Sequence, residues 1–245
     1  MLIRLLGTAS GMPTIDKNHS SIFVTTHNEK ILVDCGEGTA QQILKYKIDE
    51  NSIDKLLITH LHPDHSSGIF MLLQMFYLQK RKKDLIIYLP EQLELFKTLM
   101  NYFYLFEEKF PFKIILKKLT SIEVDNQFIR IKRSSHLKGY EKLIKQLNAS
   151  NKMNSFSIIF EEDSKKFIYT ADIENLDHLK GDLINCNSIV VDALHPEPEE
   201  ILKLNNIISG KIILTHGISV SLQKKLSQES LEKFIKAKDG QSFNV

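Results

Sequence analysis

Four side chains able to hold a divalent cation fall within six consecutive positions: His60, His62, Asp64 and His65. Imidazole and carboxylate are the donor types that suit zinc and related first-row ions. Just before them, Lys55-Leu56-Leu57-Ile58-Thr59 reads as a short buried strand, and after them Ile69 to Phe76 opens a largely apolar helix. The donors therefore occupy a strand-to-helix loop, the place where an α/β sheet usually puts its chemistry. His60 and His62 can point at one ion, and Asp64 and His65, a turn further on, can reach a second beside it. Gly68 is expected to let the chain turn into the helix without a side-chain clash. A lone loop histidine is usually a polar surface group, but four donors locked between a strand and a helix are not accounted for in that way.

Such a loop needs a sheet to hold it, and the sequence supplies the strands. Met1 to Gly7 reads as a first strand, and Ile22 to Thr26 with Lys30 to Asp34 as a hairpin through His27-Asn28-Glu29. A helix is expected from Thr39 to about Lys47. The helix after the donor loop runs to Gln79 and ends in Lys80-Arg81-Lys82-Lys83, read as a solvated end favoured by the helix dipole or as a phosphate-backbone contact. Leu85 to Leu89 is the next strand, and Pro90-Glu91 opens a helix carrying Leu93, Leu95, Phe96, Leu99, Phe103 and Leu105. Tyr102, Phe103, Tyr104 and Phe106 read as core or dimer surface rather than as base-stacking groups.

Further strands are expected over Phe112 to Lys117, Ser121 to Val124 and Gln127 to Lys132, then a polar segment from Gly139 to Asn154. Ser155 to Phe160 and Lys166 to Thr170 pair through Glu162-Asp163-Ser164. Ser188 to Asp192 and Lys211 to Gly217 are buried strands, Pro198 starts a short helix, and Leu222 to Lys238 reads as a charged amphipathic helix.

The chain has 245 residues, with 42% hydrophobic and 25% charged side chains, values of an ordinary globular domain, and residues 1–245 read as one. No apolar run approaches the ~18 residues of a membrane span, and the first residues are too short and interrupted for a secretion signal. Two cysteines, Cys35 and Cys186, give no disulfide framework, so a reducing cytoplasm is the expected setting. A net charge of +2 argues neither for nor against nucleic acid.

The pattern His-x-His-x-Asp-His resembles the signature of the metallo-β-lactamase superfamily. Leu6-Gly7-Thr8, Gly11-x-Pro13-Thr14, Asn18-x-Ser20-Ser21 and Asp34-Cys35-Gly36-Glu37-Gly38-Thr39 narrow the likeness, because they resemble the N-terminal half of the ribonuclease Z branch. The resemblance implies an α/β (α+β) fold, a four-layer αβ/βα sandwich of two mixed sheets. It also implies that His136, Asp172 and His216, each after a strand, join the metal site. The expected ligands are then His60, His62 and His136 for one ion, Asp64, His65 and His216 for another, and Asp172 between them.

Two divalent ions are expected, Zn²⁺ first and Mn²⁺ or Fe²⁺ as alternatives, with Asp34 orienting a ligating histidine rather than binding metal. Asp64 and His195 are the candidate catalytic residues, His195 as general acid or else as a plain turn histidine. His19 and His27 read as surface groups, although the family places the His19 loop near the pocket.

The resemblance implies a metal-dependent hydrolase, foremost a phosphodiesterase. The alternatives are a small ester, thioester, lactone or sulfate-ester hydrolase and a non-catalytic metal- or partner-binding member. Three departures separate the chain from tRNA processing. A glycine- and proline-rich tRNA-gripping arm is missing between His136 and Asp172, the segment after His216 reads Gly217-Ile218-Ser219-Val220, and His195 stands in an altered motif. Small phosphodiesters or other esters are the expected substrates. Nucleic acid and a second copy of the chain are further candidate partners, and no membrane is expected.

Overall fold

The computed structural model describes residues 1–228 and 231–245, which form two compact units. The first, Met1–Ser121 with Lys238–Asn244, is built on a seven-stranded mixed sheet. With strands numbered in chain order, β1 (Leu2–Gly7), β2 (Ser21–Thr25) and β3 (Lys30–Val33) pair antiparallel, and β13 (Ser242–Asn244) closes the outer edge against β1. From β3 onward the pairing is parallel through β4 (Lys55–Leu57), β5 (Leu85–Leu89) and β6 (Ile114–Lys118). Parallel strands need crossovers. They are supplied by helices α1 (Thr39–Lys45), α2 (Pro63–Ser66), α3 (Ile69–Leu78) and α4 (Leu93–Tyr102).

Helix α3 shows why this part folds as it does. Ile69, Leu72, Leu73 and Phe76 follow helical spacing and are all buried, packed with Leu32, Leu56 and Ile87 of the sheet. Each such side chain contributes about 1.5–3 kcal/mol relative to exposure. The basic run after this helix is neither a solvated end nor a phosphate contact at its arginine. Arg81 is fully buried and donates to the carbonyl oxygens of Ile53 (2.6 Å), Lys83 (2.6 Å), Asp84 (2.9 Å) and Glu50. It ties the α3 exit to the approach of β4, and its burial lowers the guanidinium pKa to about 10, against the pull of Asp54, Glu50, Asp49 and Asp84.

Three further expectations change in this unit. Pro90 and Glu91 precede α4, which begins at Leu93 after a left-handed Gln92 (φ 62°). The same helix stops at Tyr102, so Leu105 lies beyond it. Tyr102, Phe103 and Tyr104 are 74%, 50% and 79% exposed, which removes them from the core.

The second unit, Ile122–Ala237 with Val245, carries a six-stranded sheet. Strands β7 (Ile129–Arg133), β8 (Phe156–Glu162) and β9 (Lys165–Tyr169) are antiparallel. β9, β10 (Ser188–Ala193), β11 (Ile212–Ile218) and β12 (Phe234–Lys236) are parallel. The β8–β9 hairpin turns on Asp163 (φ 50°) and Ser164 (φ 61°), two successive left-handed residues whose twist matches that of the strands. Helices α5 (Ile122–Asp125), α6 (Glu141–Leu147), α7 (Lys180–Leu183), α8 (Pro198–Ile207) and α9 (Val220–Gln228) complete the unit. Its core gathers Ile159, Ile168, Ile189, Val191, Ile201, Leu204, Ile212 and Leu214.

Ser121 to Val124, expected as a strand, is the end of a 3₁₀ turn followed by α5; only Ile122 is buried and Val124 is 90% exposed, so one side chain anchors it. The long C-terminal helix is also shorter than expected. α9 ends at Gln228, Glu229 and Ser230 lie outside the described residues, and Phe234–Lys236 joins the sheet parallel to β11. An open strand edge offers hydrogen bonds that outweigh the weak helical preference of that charged segment. Among the described residues, no helix is long and apolar enough to cross a membrane.

Candidate metal centre

In the first unit the donor loop is fixed by Asp34, which ends β3 in a left-handed conformation (φ 58°) and is fully buried. Its Oδ1 accepts from the Thr59 N–H at 2.8 Å and the Thr59 hydroxyl at 2.9 Å, and its Oδ2 lies 2.7 Å from His65 Nδ1. With Nδ1–H given to a carboxylate, His65 is held as the tautomer whose Nε2 carries the ligand lone pair. Thr59 extends the same control. Its hydroxyl proton goes to Asp34, so its oxygen is the acceptor for His60 Nδ1 at 3.1 Å, and His60 likewise keeps its lone pair on Nε2. Asp34 thus fixes the His65 ring directly and the His60 ring through Thr59.

The remaining donors crowd around these two. The His60 ring centroid lies 4.8 Å from that of His62 and 4.2 Å from that of His65, and Asp64 Oδ2 lies 3.6 Å from His65 Nε2. His62 caps α2 with extended backbone, and Pro63 starts the helix. Gly68 has an ordinary φ of −72°, so its lack of side chain matters for space, not conformation. A Cβ there would strike the Gly36 and Cys35 carbonyl oxygens, and one on Gly36 would strike the Asp64 carbonyl. Two glycines bring the β3 exit and the donor loop into backbone contact.

The second unit gathers four more groups at strand ends. Asp172 follows β9 and is 2% exposed; its Oδ2 lies 3.5 Å from His136 Nε2 and 3.2 Å from His216 Nε2. Ala171 (φ 50°) and His216 (φ 61°) are both left-handed. Such backbone costs about 1–3 kcal/mol and persists where surrounding structure imposes it. The pairing of β10 with β11 jumps from Asp192↔Thr215 to Ala193↔Ile218, an irregularity that spans His216 and re-aims its side chain.

His195 sits between these groups, its ring centroid 5.4 Å from His136 and 5.3 Å from His216. Its Nδ1 lies 2.7 Å from Oδ2 of the fully buried Asp192. Asp192 also accepts from the backbone N–H groups of Ile173 (3.1 Å) and Leu194 (2.9 Å). Asp192 was not singled out in the sequence. Its signal was a strand-ending aspartate three residues before a histidine.

Each unit therefore holds a buried His/Asp cluster of the kind that could bind divalent metal. The thiols do not join in: burial raises the Cys35 pKa and pushes Cys186 up to about 12, so both stay protonated. An oxygen-and-nitrogen donor set of this kind fits zinc, manganese or iron. His27 is exposed as expected, whereas His19, expected at the surface, is only 7% exposed.

Comparison with known proteins adds kinship to this geometry. The family model described as Anti-Pycsar protein Apyc1 matches residues 1–240. Ribonuclease Z of Archaeoglobus fulgidus is 39% identical over 88 residues, which cover 36% of this chain and 29% of that protein. Ribonuclease Z of Haloarcula marismortui is 42% identical over 90 residues, covering 37% and 29%. The chain thus spans under a third of the length of these curated relatives.

Among solved structures, the short form of human tRNase Z superposes with a TM-score of 0.72 at 21% identity, covering 100% of this chain and 99% of that one. The metallo-β-lactamase fold protein YhfI from Bacillus subtilis gives 0.72 at 17% identity, covering 99% and 98%. The two mixed sheets with their helices are those of the metallo-β-lactamase fold, and the sequence relatives are ribonuclease Z proteins.

Proposed function

The chain belongs to the Anti-Pycsar protein Apyc1 family, and from that starting point we propose that it is a metal-dependent hydrolase related to ribonuclease Z, acting on small phosphodiesters. The observation that carries this reading is the pair of buried carboxylates, Asp34 and Asp192, each holding a histidine by Nδ1 at 2.7 Å. We assign His60, His62, His136 and Asp172 to one divalent ion and Asp64, His65, Asp172 and His216 to a second, with Zn²⁺ first and Mn²⁺ or Fe²⁺ as alternatives. When bound, such a pair of ions supplies Lewis acidity to a phosphoryl group and lowers the pKa of water.

The chain's own residues do the rest. Asp34 and Thr59 hold the His65 and His60 rings with Nδ1 engaged, so both are oriented before metal arrives. Asp172 contributes negative charge to both assignments, and Asp64 combines a ligand role with orientation of the attacking group. His195, fixed through Nδ1, presents Nε2–H to protonate the departing alkoxide.

Two partner readings go with this function. Met71, Leu78, Leu95, Tyr102 and Phe103, on or just after α3 and α4, are 50% or more exposed, which favours self-association. A cytoplasmic setting agrees with two buried free thiols. The whole chain is proposed to fold as one domain.

The test is a screen of metal-loaded protein against bis-p-nitrophenyl phosphate, thioesters, lactones and sulfate esters. Turnover of the phosphodiester above the others supports the reading. Preference for another ester class, or no turnover by protein carrying two equivalents of metal, overturns it.

A further inference from the structure

His19 has a fixed backbone and a buried ring nitrogen that neither proposed ligand set uses. Its N–H donates to the Glu37 carbonyl at 3.3 Å, and Gly36 N–H donates to the Ser20 carbonyl at 3.1 Å. On the other side, Asn18 donates to Asp239 Oδ2 through its backbone N–H at 2.7 Å and its side-chain amide at 2.9 Å. Thr8 donates to the other oxygen of the same carboxylate at 2.8 Å. The loop carrying His19 is thereby held to both the β3 exit and the Asp239 turn.

Gly36 brings His19 to the donor loop. A Cβ on Gly36 would fall 2.5 Å from the His19 Cβ while also striking the Asp64 carbonyl, so His19 and Asp64 press on one glycine. Gly11, in the His19 loop, would place a Cβ 3.7 Å from Asp64 Oδ2. The His19 side chain is 9% exposed, and its Nδ1 lies 3.5 Å from Oε2 of the exposed Glu37. Its Nε2 is buried and meets no hydrogen-bond partner among the described residues. A buried polar atom left in that state costs about 1–3 kcal/mol, a cost that a bound acceptor beside the donor loop would offset.

We infer that His19 is a substrate-binding residue whose Nε2–H donates to a phosphoryl oxygen of the bound ester. The ligand class is an oxyanion of a phosphate ester, and the inference rests on the phosphodiesterase reading above. His19 makes or breaks no bond itself. It stabilises charge on the phosphoryl oxygens and orients the group against the donor loop, which requires only a placed donor.

The experiment compares wild type, His19→Phe and His19→Gln, each loaded with Zn²⁺ and brought to the same metal content by elemental analysis. Inorganic phosphate is titrated calorimetrically, and KM and kcat for bis-p-nitrophenyl phosphate are measured separately. His19→Phe keeps the ring volume without a donor and is expected to weaken phosphate binding and raise KM by about 10- to 100-fold, the loss of one hydrogen bond to a charged group. Glutamine, whose amide nitrogen reaches the Nε2 position, is expected to stay within a few-fold of wild type.

The inference is overturned if phosphate binds wild type no more tightly than His19→Phe. It is equally overturned if both variants lose binding together with melting temperature, which assigns His19 a structural role. Should His19→Phe not fold, His19→Asn, with an amide too short for the Nε2 position, takes its place with the same expectation. Wild type that binds phosphate through His19 but turns over no diester sinks the phosphodiesterase reading and keeps the oxyanion site.

Discussion

Asp192 Oδ2 lies 2.7 Å from His195 Nδ1, the separation that Asp34 Oδ2 keeps from His65 Nδ1. Both aspartates are fully buried at strand ends, and both fix their histidine with Nε2 outward. The histidines differ in exposure: the His65 side chain is fully buried, and that of His195 is 38% exposed. A buried ring suits a permanent ligand, whereas a ring that meets solvent can exchange a proton at each turnover.

His195→Ala is therefore expected to slow hydrolysis of an alkyl phosphodiester by about 10²–10⁴-fold while leaving the bis-p-nitrophenyl ester within a few-fold. Nitrophenolate departs without a proton and an alkoxide does not. Equal losses on both substrates would show that His195 is a structural turn residue.

Protein purified without chelators is expected to carry close to two equivalents of divalent metal, measured by elemental analysis. Asp172→Ala should lower both, since one carboxylate is assigned to both ions. Content that stays near zero after incubation with Zn²⁺ and Mn²⁺ counts against the assignment.

Asp34→Ala removes the acceptor that orients His65 and, through Thr59, His60. Metal affinity, read by competition with a chromogenic chelator, is expected to fall by about 10- to 100-fold. Asp34→Asn, which keeps an acceptor oxygen, should fall less. Unchanged affinity in both variants would mean that the ligands hold their orientation without Asp34.

The donor loop was legible because its ligands are contiguous and its flanks strongly apolar. Asp34 was legible too, since it ends a strand beside that loop. His19 was misread because it is seated against Gly36 and Glu37 in a loop tied through Asn18 to Asp239, and contacts of that range leave no local periodicity. Arg81 looked like one of four surface cations until the carbonyls of Glu50 and Ile53 closed on it. The segment Ser121 to Val124 failed for another reason: an alternation of four residues fits a strand and one helical turn equally well.

His178 offers a pH test in the second unit. The Ser157 hydroxyl donates to the Thr170 carbonyl at 2.8 Å, so its oxygen accepts from His178 Nε2 at 2.8 Å. Burial lowers the His178 pKa below 6.5, opposed by the Asn175 backbone and by Asp177 and Asp182. As pH falls below 6.5 the unfolded chain takes up this proton first, so the stabilising contribution shrinks on acidification. The melting-temperature advantage of wild type over His178→Gln should be greatest near pH 7.5 and narrow toward pH 5. A constant gap would rule out this coupling.

Precursor tRNA is expected to be cleaved poorly beside a small diester. Nucleic-acid affinity depends on cations placed against phosphates. The chain carries a net charge of only +2, and the arginine of its Lys80–Lys83 cluster is spent on backbone carbonyls. The two substrates should be assayed side by side at low and physiological salt. Efficient, site-specific release of a 3′ trailer at physiological salt would restore a tRNA-processing role.

Gly36 and Gly68 leave no side chain between the loops that carry His19, Cys35 and Asp64. Spacing set by bare backbone has no compressible part, so these loops can shift only as one piece. Adaptation to ligands of new size must then fall to a neighbouring part that can change alone. The exposed residues 12–17, at the outer side of the His19 loop, carry side chains such as Met12 and Ile15 that can be exchanged without touching those backbone contacts. The fold separates a rigidly spaced donor loop from exposed positions that substitution can reshape without disturbing it.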